Sequence, residues 1–326
     1  MSDVQPLAAA VMRGDRRALA RAITLVESTR ADHRIEASAL LDLVMPATGR
    51  ARRVGISGAP GAGKSTFIEA LGTYLVGAGR SVAVLAVDPS SRRSGGSILG
   101  DKTRMEELSR HPGAFIRPSP SGGTLGGVAR RTREAMLLCE SAGFDVVLVE
   151  TVGVGQSEVA VAGMVDLFVL LLSPTAGDEL QGVKRGIVEL ADLIVVNKCD
   201  GELEAAATRT AADYANAVHF LRRRSAAWST RVLRASALLH DGIDAVWDAV
   251  EEHHLALNAA GALAELRSDQ NGQWMWSEIN DGLLEFVRSD AATRARLEHL
   301  EGDVRAGRIS PTAAAQAVLS AIVTPR

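Results

Sequence analysis

The chain has 326 residues, 47% apolar and 23% charged, with a formal net charge of −3. That length suits roughly two domains, or one α/β domain with extensions, and the composition is that of a globular chain with ample material for a core. The near-balanced charge gives no reason to expect a nucleic-acid or anionic-membrane partner, and no run approaches the length of apolar residues a membrane span needs.

The opening segment MSDVQPLAAAVMRGDRR lacks the apolar core and cleavage site of a secretory signal. Cys139 and Cys199, the only cysteines, are too few and too far apart for a disulfide framework or a thiolate metal site. A cytoplasmic protein is expected. Residues 4 to about 46 read as helical: Leu7, Val11, Leu19, Ile23 and Val26 recur at helical intervals, and Ile35 to Val44 form a second segment. Arg13, Arg16, Arg17 and Arg21 fit a solvated face of this prefix better than a binding patch. Pro46 and Gly49 close it, so the N-terminal helical extension is set at residues 1–50.

From Arg53 the pattern alternates short β-rich runs with helices, the mark of a mostly parallel central sheet in an α/β fold. Strands are expected at 53–57, 82–87, 114–117, 145–150, 166–172, 192–197 and 231–235, within a nucleotide domain spanning 51–260. Several are apolar almost throughout, as expected when helices cover both faces. Ligands of such sheets bind beyond the carboxyl ends of the strands, and the informative residues fall there.

The first of these loops is Gly58-Ala59-Pro60-Gly61-Ala62-Gly63-Lys64-Ser65-Thr66. It fits G-x-x-x-x-G-K-[ST], in which glycines let successive N–H groups turn toward phosphate oxygens. Lys64 adds a point charge for the β- and γ-phosphates, the Ser65 hydroxyl can ligate Mg²⁺, and a helix starting near Gly63 aims its positive end at the same anion. A plain glycine-rich turn would not need the lysine and hydroxyl at that spacing. Strand two runs into a long polar loop holding Asp88 and Asp101, carboxylates able to reach Mg²⁺ directly or through water. Turn or N-cap chemistry is the competing account, stronger for Asp101 than for Asp88.

The strand ending at Glu150 is followed by Gly153 and Gln156. An acidic residue closing a buried strand, then a glycine three positions on, has the form of a Mg²⁺/γ-phosphate sensor in nucleotide switches, most of which place Asp where this chain has Glu150. The Gly153 N–H can hold a γ-phosphate and release it after hydrolysis. Gln156 is a candidate for orienting the attacking water. The loop from Ser173 to Lys184 carries charges that nucleotide binding does not explain; an N-cap of the next helix is an equal account. Asn197-Lys198-Cys199-Asp200 is the N-K-x-D guanine reader: Asp200 accepts from the ring N1–H and exocyclic amine, which adenine does not present in that arrangement. Ser236, Ala237 and Leu238 follow the last strand, where backbone contacts to the guanine oxygen are expected.

Beyond Asp241 the chain reads as helices at Ile243 to Leu257, Ala262 to Leu266, Trp274 to Val287 and Ala291 to Ile322, with a break at Gly307–Pro311; residues 261–326 form a C-terminal helical arm. Trp274, Met275, Trp276, Ile279, Leu283 and Phe286 are too apolar for a lone surface helix and pack on the prefix helices, on a second subunit, or in an intrachain core. His253-His254 is expected to be solvated rather than metal-binding, and Arg222 to Arg224 to end a helix.

VGISGAPGAGKST, AVDPSS, GDKTRM, VLVETVGVGQSE, SPTAGDELQG and VNKCD together resemble the MeaB-type GTPases, also called the ArgK family. The prefix GDRRALARAITLVES and the WMW segment resemble it too, so the likeness spans nearly the whole chain. It implies a homodimeric P-loop NTPase of the signal-recognition/MinD-like (SIMIBI) class that binds GTP or GDP with Mg²⁺. Such proteins chaperone adenosylcobalamin-dependent methylmalonyl-CoA mutase, gating cofactor loading and protecting the mutase. On this likeness Ser65, Asp88, Asp101 and Glu150 belong to the Mg²⁺ environment. Gly177, Asp178, Gln181 and Lys184 belong to an added switch that communicates with the partner, and helices at both ends build the dimer. A nickel-delivery GTPase, which wants a His/Cys tract, and a small-molecule kinase using the same phosphate loop are the rival readings.

Overall fold

The computed structural model describes residues 4–87, 105–118, 125–151, 156–174, 185–220 and 223–323. The chain divides into two compact units, Met1–Gln270 and Asn271–Arg326.

The first unit is built on seven strands: β1 (Arg52–Gly58), β2 (Val82–Val87), β3 (Ala114–Arg117), β4 (Val146–Thr151), β5 (Leu167–Leu172), β6 (Leu193–Val196) and β7 (Arg231–Arg234). All pair in parallel in the order β3-β2-β4-β1-β5-β6-β7. The seven expected strands are all present, with ends moved by at most one residue. β1 lies at the centre, with Ile56 in register with Glu150 on one side and Val169 on the other. β2, β4, β5 and β6 are buried at every position, which is why they read as unbroken apolar runs.

One face of the sheet is covered by the prefix helices α1 (Val4–Met12), α2 (Arg16–Val26) and α3 (Ala31–Val44), together with α6 (Leu125–Ser141), α7 (Gln156–Ala162) and α9 (Glu204–Val218). The other is covered by α4 (Lys64–Gly77), α5 (Glu106–Arg110) and α10 (Ile243–Ala259); α8 (Arg185–Val188) precedes β6. The first expected prefix segment is two helices. Gly14 adopts a positive φ and Asp15 caps α2, its carboxylate accepting from the N–H groups of Arg17 at 2.8 Å and Ala18 at 3.0 Å. The prefix packs into the sheet's own core rather than standing apart from it.

α11 (Ala262–Ser289) is one continuous helix where two were expected, because Gly272 is tolerated within it. Within the second unit, α11 continues to Ser289 and is followed by α12 (Ala291–Arg305), capped by Asp290, and α13 (Pro311–Val323), with the break where Gly307 and Pro311 place it.

At the amino edge of the sheet an aspartate precedes each of three strands and accepts from a backbone N–H at the start of the neighbouring one. Asp145 takes Ser81 N–H at 2.8 Å, Asp166 takes Arg53 N–H at 3.0 Å, and Asp192 takes Phe168 N–H at 2.9 Å. Arg267 donates to both oxygens of Asp166 at 2.8 Å and to the Ala51 carbonyl at 2.8 Å, while Arg53 pairs with buried Glu140 at 2.6 Å. Burial acts to raise the Asp166 carboxyl, but Arg267 and Arg53 outweigh it and hold it below the usual range. Arg224, expected at a helix end, instead pairs with Asp192 at 2.5 Å.

His253 also departs from expectation. It is 2% exposed, with its ring edge-on to Trp228 at 5.0 Å. The helical period turns this position inward while the charges of Glu251 and Glu252 beside it suggest a wet face. Burial pushes its imidazole down to about 4, with Arg224 and His254 adding to that and Asp166 opposing. The ring is therefore neutral in the fold, whereas the unfolded chain takes up its proton below about pH 6.5. Its contribution to stability is complete above that value and is lost as pH falls toward 4. Denaturant titrations of His253→Gln should show the slope of unfolding free energy between pH 4 and 6.5 reduced by up to about 1.4 kcal/mol per pH unit. An unchanged slope would contradict this account.

Candidate functional site

The carboxyl ends of β1, β4, β6 and β7 bring the expected motifs to one rim. β1 ends at Gly58, and α4 begins at Lys64 with Gly63 in the left-handed region at φ 87°. Two glycines here are dictated by close approach. A Cβ on Gly58 would sit 2.3 Å from the Leu171 carbonyl oxygen, and one on Gly63 would sit 2.6 Å from the Asn197 side-chain amide. Ala62 is buried beneath the turn, while Pro60, Gly61 and Thr66 are exposed.

Lys64, at the first turn of α4, donates from Nζ to the carbonyls of Gly58 at 2.7 Å and Ala59 at 3.2 Å. Burial lowers its pKa, with Glu150 and Glu158 pulling the other way. The neighbouring Ser65 Oγ donates to Glu150 Oε1 at 3.1 Å, joining the phosphate loop to the end of β4. Glu150 is 4% exposed, and next to it Thr151 donates to Ser57 at 2.9 Å. A hydroxyl from the first turn of α4 and a carboxylate from the end of β4, brought together here, form an oxygen-donor pair that suits a hard divalent cation.

Asn197 follows β6. Its Nδ2 donates to the Ala62 carbonyl at 2.9 Å and its Oδ1 accepts from the Ala237 N–H at 3.0 Å. Lys198 takes φ 61°, a left-handed conformation rare for a side chain of its size, which turns the loop outward to Asp200. The Asp200 carboxylate accepts from Ser236 Oγ, and that oxygen in turn accepts from Leu239 N–H at 3.1 Å. Ser236 also closes a two-way backbone bridge with Asp241. Leu238 stands exposed at the tip.

The structure thus brings together Gly58 to Thr66, Glu150, Asn197, Lys198, Asp200, Ser236, Ala237 and Leu238. Asp88, Asp101, Gly153, Gly177, Asp178, Gln181 and Lys184 lie outside the described residues. Gln156 is the first residue of α7, and nothing beyond its backbone position is described. Sequence reasoning missed Glu158, fully buried on α7 and electrostatically coupled to Lys64. Its position two residues past Gln156, in the helix after Gly153, was the available signal.

The family model described as methylmalonyl-CoA mutase-associated GTPase MeaB matches residues 19–292. A Caulobacter vibrioides protein named as a GTPase is 57% identical over 319 residues, covering 98% of each chain. The mouse mitochondrial methylmalonic aciduria type A homolog is 50% identical over 328 residues, covering 98% of this chain and 79% of that one. The crystal structure titled LAO/AO transport system kinase superposes with a TM-score of 0.78 at 39% identity, covering 99% of this chain and 98% of that one. With the phosphate loop, the acidic strand end and the guanine-reading loops assembled on one rim, the chain belongs to the MeaB family of P-loop GTPases.

Proposed function

We propose that this GTPase uses hydrolysis as a conformational signal to a cobalamin-dependent mutase, gating adenosylcobalamin loading into methylmalonyl-CoA mutase and protecting it. The family description and the mouse relative's name support that partner. The observation that carries the nucleotide reading is the Asn197 amide, which ties the phosphate loop to the base-reading loop through Ala62 and Ala237. In the reaction, water attacks the γ-phosphorus and the bond to the β–γ bridging oxygen breaks, leaving GDP and phosphate. Lys64 and the phosphate-loop amides are proposed to face the charge that grows on the phosphate oxygens, where preorganised donors contribute most.

The residues fit a magnesium ion: Ser65 and Glu150 would hold it, with Asp88 and Asp101 proposed to complete its surroundings directly or through water. Bound there, Mg²⁺ supplies charge neutralisation between β- and γ-phosphates. Gly153 is proposed to sense the γ-phosphate and Gln156 to orient the water. Gly177, Asp178, Gln181 and Lys184 are proposed to carry the signal to the mutase. Homodimerisation through the C-terminal arm is supported by the exposed apolar side chains Met275, Trp276, Ile279, Leu283 and Phe286 on α11.

A small-molecule kinase is the second reading, favoured by the name of the solved relative, an LAO/AO transport system kinase. Incubation with γ-labelled GTP and candidate acceptors separates the two, since a GTPase delivers the label to inorganic phosphate alone.

Asp200→Asn should weaken GTP binding by about 10- to 100-fold without improving ATP, measured by calorimetry, because one base donor then faces an amide N–H. Unchanged GTP affinity would remove Asp200 from base reading. Methylmalonyl-CoA mutase should raise GTP turnover in the parent protein and less in Lys184→Ala; no response to the mutase would overturn the chaperone assignment and leave the GTPase standing. Ile279→Glu with Leu283→Glu should shift sedimentation from dimer to monomer while the isolated nucleotide affinity holds, and a parent that sediments as a monomer would refute the dimer.

A further inference from the structure

The helix that opens the phosphate site also holds a second segment of the chain. α5 (Glu106–Arg110) is five residues long, and the residue at its cap position, Met105, makes no side-chain cap hydrogen bond. A thioether is a poor acceptor, so the first N–H groups of α5 need an oxygen from elsewhere. Glu69 of α4 supplies it. Its Oε1 accepts from Glu107 N–H at 2.8 Å and from Leu108 N–H at 3.1 Å, the second and third amides of the helix and the ones a local cap would take. These donors lie 38 and 39 residues along the chain, so the cap is a tertiary tie.

The tie is reinforced one turn on. A Cβ on Gly72 would lie 2.4 Å from Leu108 Cδ2, so α5 rests on α4 where α4 has no side chain. Met105 and Leu108 are each 1% exposed. Ser65, Glu69 and Gly72 recur at intervals of four and three and form one stripe along α4. Ser65 begins the stripe on the Glu150 carboxylate, and Glu69 follows about 6 Å along the axis. The stripe joins the oxygen-donor pair at one end to α5 at the other.

What α5 fixes is the chain that enters it. Asp101 stands four residues before Met105, a tether that spans at most roughly 14 Å. Without the hold on α5, the next fixed point is β3 at Ala114, thirteen residues after Asp101. The local concentration of a tethered group falls as about the −3/2 power of tether length, so going from four residues to thirteen dilutes it about sixfold. Buried Met105 and Leu108 retain part of the hold, which sets the loss from removing the cap alone at about two- to sixfold.

We propose that Glu69 is a positioning residue for the magnesium site: by capping α5 on the phosphate-loop helix it keeps Asp101 within reach of Ser65 and Glu150. The role rests on the reading of Asp101 as part of the Mg²⁺ environment, and it assigns Glu69 no contact with nucleotide or metal.

The test uses the full-length protein and a non-hydrolysable GTP analogue, read by calorimetry with Mg²⁺ and with EDTA. Glu69→Ala should reduce by about two- to sixfold the factor by which Mg²⁺ tightens the analogue, while affinity in EDTA holds. Glu69→Gln, which keeps an acceptor oxygen, should retain the parent factor. Asp101→Ala should reduce the factor on its own, and adding Glu69→Ala to it should reduce it no further. In nucleotide-free protein the amides of Glu107 and Leu108 should exchange faster in Glu69→Ala and at the parent rate in Glu69→Gln. An unchanged factor in Glu69→Ala beside a reduced one in Asp101→Ala overturns the positioning role alone. The same follows if Glu69→Gln behaves like Glu69→Ala, if the losses add in the double variant, if amide exchange is unaltered, or if affinity falls equally in EDTA. An Asp101→Ala protein with the parent factor refutes the magnesium reading of Asp101 and takes the positioning role with it.

Discussion

Both ends of the Asn197 amide are committed to backbone, one to the carbonyl of Ala62 and the other to the N–H of Ala237. Asn197 is 1% exposed, so neither bond competes with water, and the amide acts as a fixed strut. It spans the end of β1, the end of β6 and the turn after β7. The phosphate loop and the N-K-x-D loop are thereby held at one fixed distance from each other.

The two edges of the sheet are built on different plans. The amino edge is closed by aspartates that cap neighbouring strands and by arginines that neutralise two of them, with Arg267 reaching from α11 across Asp166 to the chain just before β1. Burying such charges is costly, and Asp166 and Asp192 are tolerated because each is paired with an arginine and hydrogen-bonded, whereas Asp145 stays exposed. The carboxyl edge keeps its charges in looser company. Lys64 rests on two carbonyls and Ser65 on Glu150, contacts that a triphosphate and its cation can replace with stronger ones. The strand starts are held firmly, and the strand ends remain open to chemistry.

Most of the fold was legible because buried parallel strands are apolar throughout and their helices are periodic; all seven strands and the rim residues follow from that pattern. The guanine and phosphate motifs were legible because each chemistry demands particular residues at fixed spacing. What was not legible is the company side chains keep across the sheet. Asp145, Asp166 and Asp192 look like ordinary turn residues before strands, and nothing local announces that Arg224 and Arg267 will cover two of them. His253 was misjudged because the acidic neighbours were visible in sequence and Trp228, twenty-five positions earlier, was not visible as its neighbour. Glu158 went unnoticed for a similar reason: burial on α7 beside Lys64 is a tertiary fact.

The missing side chain at Gly63 has a genetic consequence. Any larger residue there presses first on the Asn197 amide, and through it on the turn that carries Ala237. A lesion in the phosphate loop would therefore be transmitted to the loops after β6 and β7. Defects in the two loops should behave as one phenotype, with paired substitutions costing less than their sum.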